Sequence, residues 1–151
     1  MTKSLKRQIV EVLFAQGDAL KATGVVKKFA REATPFHLED ITPALSLTIG
    51  PEDVVDEDNQ GYVIEFPCFW KLTLGKTTTA AGVNPYDGAD LIEQQVQARL
   101  EQDTQLTGLI VWLKYEGNLP FTNEVNSDKG GTLLTYTYRY RRTRNDPAGR
   151  Y

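Results

Sequence analysis

YVIEFPCFWKLTL, residues 62–74, decides how the chain is read. Its even positions Tyr62, Ile64, Phe66, Cys68, Trp70, Leu72 and Leu74 are all apolar, while Glu65, Lys71 and Thr73 fall among the odd ones. Successive side chains of a β-strand point to opposite faces, so this period of two predicts one long strand with one buried face. Pro67 has no N–H for a neighbouring strand, which places a bulge or an unpaired edge near it.

The same period recurs on either side. In PALSLTIG (43–50), Leu45, Leu47 and Ile49 alternate with Ser46 and Thr48, and VVKKFAR (25–31) is a weaker strand before it. GLIVWLKYEG (108–117) begins apolar on both faces, the pattern of a strand inside a sheet. TLLTYTYRYRR (132–142) closes the series with Leu134, Tyr136, Tyr138 and Tyr140 on one side. Two stretches switch to helical spacing. Leu5, Ile9, Val12, Leu13 and Leu20, widened by Val10 and Phe14, predict an amphipathic helix over 3–16 with Gly17 as its stop. Ile92, Val96 and Leu100 predict a second helix over 88–103, capped by Asp87 after Pro85.

Strands with few crossover helices, one helix first and one late, predict an α+β fold: a predominantly antiparallel sheet with two helices packed against it. The 151 residues suit a single domain, 1–151, with a flexible C-terminal end at 143–151. Segments 51–61 and 117–131 read as long hairpin loops, a type of connection that is usually functional or ordered by a partner.

Composition removes much chemistry. Hydrophobic residues at 40% and charged residues at 25% are ordinary for a soluble globular chain. No apolar run reaches the length of a membrane span, and MTKSLKRQIVEVLF mixes charge with apolar residues, unlike a signal peptide, so synthesis in a cytoplasm is expected. One cysteine, Cys68, forms no internal disulfide, and a single His37 with a single cysteine excludes the usual zinc sets. Cys68 within EFPCFWKL reads as a small core hydrophobe, and His37 in PFHLED as a loop residue. No cofactor and no metal are expected.

Three local motifs invite chemistry and lack a part each. Gly75-Lys76-Thr77 looks like the end of a phosphate-binding loop, but the position five before Gly75 is Trp70, where backbone would have to approach the phosphates. DEDNQG (56–61) puts Asp56, Asp58, Gln60 and Gly61 at the first, third, fifth and sixth positions of a calcium loop, yet its twelfth position is Pro67. An acidic hairpin loop is the simpler reading. YTYRYRR interleaves rings with cations, but period two sends Tyr136, Tyr138 and Tyr140 to one face and Arg139 and Arg141 to the other, leaving only Arg142 beside the tyrosines.

Charge is segregated along the chain. Residues 1–31 hold seven Lys/Arg against two acids, and 32–68 hold nine acids with no Lys or Arg. Residues 131–151 hold five arginines against one aspartate. Such segments pair within one subunit or between neighbours.

The order of elements carries a resemblance. An N-terminal helix is followed by PALSLTIGPED, an acidic loop, YVIEFPCFWKLTL, the helix of LIEQQVQARLEQDTQLTGL, a strand, a long loop and the closing YTYRYRR. This resembles the tail terminator, or tail completion, proteins of long-tailed bacteriophages, over roughly residues 4–142. VVKKFAREATPFHLED and LTLGKTTTAAGVNPYDG are longer connections than the family pattern needs. The resemblance implies a structural virion protein without catalysis. It implies a homo-oligomeric ring, commonly a hexamer, on the head-proximal end of the tail tube. Its partners would be the tail tube protein and the head-tail connector protein, with DNA passing through the ring without sequence-specific binding. A ring contact needs two different complementary patches on each subunit. Glu52, Asp53, Asp56, Glu57 and Asp58 facing Arg139, Arg141, Arg142 or Arg144 of a neighbour is the expected pairing. The alternatives are a head-completion or tail-tube ring component, and a small α+β enzyme using Lys76, Cys68 or His37.

Overall fold

The computed structural model describes residues 2–31, 43–75, 85–102, 106, 108–122 and 129–149. Helix α1 is Leu5–Ala22, and its N-cap is Ser4, whose Oγ accepts from the N–H of Arg7 at 3.1 Å. A serine there satisfies one of the N–H groups that the first turn leaves without an intrahelical acceptor. Leu5, Ile9, Leu13 and Leu20 are buried along one stripe, as their spacing requires.

The helix does not stop at Gly17. Gly17 is buried inside it, and a side-chain carbon at that position would overlap the ring of Phe29. The glycine lets a strand residue close on the helix backbone. Termination falls instead at Thr23 and Gly24: their N–H groups bond the carbonyls of Ala19 (2.9 Å) and Lys21 (3.1 Å), and Gly24 has φ 82°. That left-handed geometry is the glycine-favoured way to end a helix. Helix α2, Pro85–Glu101, also differs from expectation at its start. Proline occupies the first helical position, where its missing N–H has no intrahelical role, so Asp87 lies within the first turn and is not the cap.

Six strands follow in chain order: β1 (Lys28–Arg31), β2 (Ala44–Ile49), β3 (Asp53–Glu57), β4 (Gly61–Gly75), β5 (Trp112–Thr122) and β6 (Lys129–Thr143). They form one sheet ordered β1-β2-β4-β6-β5, with β3 paired to β4 beside that path. The fold is α+β, but the sheet is mixed, which corrects the expectation of a predominantly antiparallel one. β1 and β2 run parallel, Lys28 opposite Ala44 and Arg31 opposite Leu47. Residues 32–43 between them supply the dozen or so positions that a parallel connection needs.

Strand β4 is the spine. It pairs with β6 without interruption from Gly61↔Thr143 to Gly75↔Lys129. Its other edge is shared, β3 taking Tyr62 to Glu65 and β2 taking Cys68 to Thr73. Pro67 sits where the edge changes hands. Its carbonyl accepts from the N–H of Gly50 at 2.7 Å, and the N and O of one strand residue point to the same side. The missing donor of Pro67 therefore falls in the gap between β2 and β3, as the sequence suggested.

Even-numbered residues of β4 and β6 share a face. Ile64, Phe66, Cys68, Trp70, Leu72, Leu134, Tyr136, Tyr138 and Tyr140 are all nearly or fully inaccessible, which places the tyrosines of YTYRYRR in the core. Phe66 stacks on Tyr138 with centroids 5.7 Å apart, and Trp70 on Phe29 at 6.1 Å. Both helices cover this face. Lys6 of α1 lies over Phe66, and Glu93 and Gln97 of α2 meet Asn118 and Tyr115 of β5.

β5 lies at an edge, not inside the sheet. The doubly apolar start of its segment belongs to a turn, in which the N–H groups of Leu109 and Ile110 bond the carbonyl of Leu106, with both side chains half-buried against the core. The two expected loops also contain strand. β5 runs on to Thr122 past a bulge at Tyr115/Gly117, where Gly117 has φ 115°, and β3 takes Asp53–Glu57 of 51–61.

Candidate interaction site

The hairpin of β3 and β4 carries the expected acids. All five residues of β3 are exposed, Val54 at 59% and Val55 at 43%. The register shifts between Val54 and Asp56, so Val55 is the extra residue of a bulge. At the tip, Asp58 Oδ1 accepts from the N–H groups of Gln60 (2.7 Å) and Gly61 (3.0 Å). Asp56 Oδ1 accepts from the N–H of Glu57 at 2.9 Å. These carboxylates hold the turn, the role that aspartate commonly takes in tight loops. Among the described residues no group of three His, Cys, Asp or Glu side chains is placed to hold a metal ion.

The arginines of β6 and Arg144 just beyond it divide. Arg144 reaches back over the hairpin: its guanidinium lies 3.5 Å from Glu57, donates to the carbonyl of Asp58 at 2.8 Å and donates to Tyr62 Oη at 2.9 Å. Arg142 and Arg144 both lie over the Tyr62 ring, at 4.8 and 4.7 Å from its centre. Arg139 pairs with Glu65 directly opposite on β4 and lies 4.5 Å from the ring centre of Trp112. Arg141 is exposed and makes no ion pair among the described residues.

So the structure joins one expected pair within a single chain, Arg144 with Glu57 and the Asp58 backbone. Glu52 has other company. It accepts from Tyr140 Oη at 2.6 Å and lies 3.9 Å from Lys6 Nζ. Burial, and then the hydrogen bond to Glu52, push the Tyr140 hydroxyl well above the usual tyrosine range, so it stays a donor. Asp53 and Asp56 meet no cation among the described residues. Glu65, Tyr62, Lys6 and Trp112 were not in the expected set. Their signal was in the register: once the aromatic faces of 62–74 and 132–142 are laid together, odd Glu65 must face odd Arg139.

The remaining candidates separate. Cys68 is fully buried in the core, and His37 and Lys76 lie outside the described residues. A groove of about 290 Å³ lies between the start of α1 and the end of β2, lined by Ser4, Lys6, Arg7, Val10, Phe14 and Ile49. No described helix is long and apolar enough to cross a membrane.

No protein-family model matches the chain, and no curated protein matches it. What the described surface offers chemically is contact: exposed valines rimmed by carboxylates on a hairpin held rigid at its tip, beside arginines whose charge is partly spent at home.

Proposed function

We propose that the chain is a structural protein of a long-tailed bacteriophage virion, a tail terminator. It forms a ring, with six copies as the expected number, on the head-proximal end of the tail tube. There it stops tube polymerisation and offers a surface to the head-tail connector, and DNA passes through the ring. The reading rests on the sequence resemblance and has no catalytic step.

One observation carries it furthest. Strand β3 is exposed along its whole length with two adjacent valines, on the free side of a fully paired spine. A five-residue strand of this kind gains little by itself and exposes apolar area that a neighbouring protein can cover. Electron microscopy of particles made without the protein tests the reading. Overlong, headless tails are the expected result, and normal tails on unfilled heads would move the chain to the head side of the joint.

A further inference from the structure

Two surfaces of opposite charge sit near opposite ends of β4. At one end is the hairpin, with Asp53, Asp56 and Glu57 around Val54 and Val55. At the other is the corner where α1 ends and β1 begins, with Lys21 and Lys27 exposed around the half-buried Val25. Lys27 and Lys21 make no ion pair among the described residues. β1 is the terminal strand of the sheet, and among the described residues no strand pairs with its outer edge.

These surfaces cannot meet within one chain. Glu57 lies opposite Tyr62 of β4, while Lys28 of the corner lies opposite Ala44, which lies opposite Thr73 of the same strand. From Tyr62 to Thr73, at about 3.3 Å per residue, the separation along β4 is roughly 36 Å. That exceeds the Debye length, about 10 Å near 0.1 M salt, so neither surface neutralises the other in the free subunit. The C-terminal arginines are a different case. Arg144 and Arg142 lie beside the hairpin, and Arg144 already pairs with Glu57 in the same chain.

We propose that the acidic rim of the hairpin in one copy docks on the Lys21–Lys27 corner and the outer β1 edge of the next copy. Deepening the ring reading above, on which it rests, this assigns the subunit contact to a pair of surfaces other than the acid–arginine pair expected from the sequence. The occupant is a second copy because both halves of the contact are present on every chain, with opposite charge and with valine in each. Two different patches make the contact head-to-tail, and such contacts close into rings or run on as filaments. The exposed Val54 and Val55 are covered against Val25, and the carboxylates of Asp53 and Asp56 meet the two lysines.

Sedimentation velocity on the full chain tests the contact at low and high salt. The wild type is expected to associate at low salt and to come apart as salt rises. Asp53→Lys with Asp56→Lys, and separately Lys21→Glu with Lys27→Glu, should each weaken association on the order of a hundredfold, because like charges then face each other. Circular dichroism checks that both variants fold. An equimolar mixture of the two should restore association, since the basic hairpin of one meets the acidic corner of the other, and the unchanged hairpin meets the unchanged corner. Variants that associate like the wild type, or a mixture no better than its components, would overturn this contact while leaving the ring reading to the tail-length measurement. A wild type that stays monomeric at every concentration and salt would overturn the contact as well, and overlong tails in its absence would still uphold the terminator reading.

Discussion

Gly17→Ala should destabilise the protein, although the same change in an exposed helix interior is favourable. Alanine is about 1 kcal/mol better than glycine inside a helix. Gly17 is buried in the fourth turn of α1, and a Cβ there would overlap the Phe29 ring, which is itself stacked on the fully buried Trp70. The nearest ring carbon would lie 2.2 Å from that Cβ, so the ring has to withdraw by roughly 1 Å to reach contact distance, and inserting a methyl into a filled core costs about 1 to 3 kcal/mol. At the upper end of that range, the net loss after the helix gain is about 1 to 2 kcal/mol. Urea denaturation followed by tryptophan fluorescence reads this as a lower midpoint, with the helix signal retained. The decisive measurement is the cycle with Phe29→Ala. Without the ring there is nothing to displace, so Gly17→Ala in that background should stabilise by about 1 kcal/mol, reversing its sign. If Gly17→Ala stabilises equally in both backgrounds, the helix–strand contact is not as close as described. If it destabilises equally in both, the glycine serves some need of the backbone and not of Phe29.

Three other changes follow from the same core. Trp70→Ala removes a fully buried ring whose Nε1 has no hydrogen-bond partner among the described residues, so the loss is packing alone; it should cost about 3 to 5 kcal/mol by chemical denaturation, well above Trp112→Ala on the half-exposed outer face. Gln16→Leu should raise the denaturation midpoint by the equivalent of about 1 kcal/mol, because Gln16 is fully buried with neither amide atom partnered among the described residues, and a midpoint that falls would reveal a partner for it. The third concerns pH. Burial first, then the hydrogen bond to Glu52 for Tyr140 and the Glu101 charge for Tyr136, raise both hydroxyls above their unfolded value of about 10. A raised pKa means that the folded state holds its proton more tightly, so this stability is complete below pH 10 and is lost progressively above it. Tyr136→Phe with Tyr140→Phe should therefore shift alkaline unfolding, followed by circular dichroism, to higher pH; an unchanged alkaline midpoint would assign the transition to other groups.

Much of this was legible in the chain where one periodicity ran long. Residues 62–74 and 132–142 announced their buried faces because each places five alternate positions, Ile64 to Leu72 and Thr132 to Tyr140, under consistent burial, and a slip of one residue would expose every ring. What resisted reading was decided by a single contact at a distance. Gly17 looks like a helix stop because nothing local says that Phe29, twelve positions on, will lie against it. The parallel pairing of β1 and β2 is likewise invisible in KFAR and ALSLTI, whose residues suit either direction. At GLIVWLKYEG the apolar run was real, but it was shared between a turn under α2 and an edge strand, and composition does not record that division.

The charges show the same limit in another form. Segregation along the sequence gave nine acids on one stretch and arginines on another, and the natural expectation joined them across a subunit boundary. Antiparallel pairing of β4 with β6 instead brings residues near 62 beside residues near 142, so arginines more than seventy positions away become next-door neighbours of the acids. Arg139 finds Glu65, and Arg144 finds Glu57, inside one chain. Exposed ion pairs of this sort contribute little, about 0 to 1 kcal/mol, yet they remove those arginines from the pool that a neighbour can use. The basic charge that the sheet holds at the far end of β4 from the acidic hairpin is the lysine corner of α1 and β1. Distance along the spine, and not distance along the sequence, is therefore what separates charges that are satisfied at home from charges that await another copy.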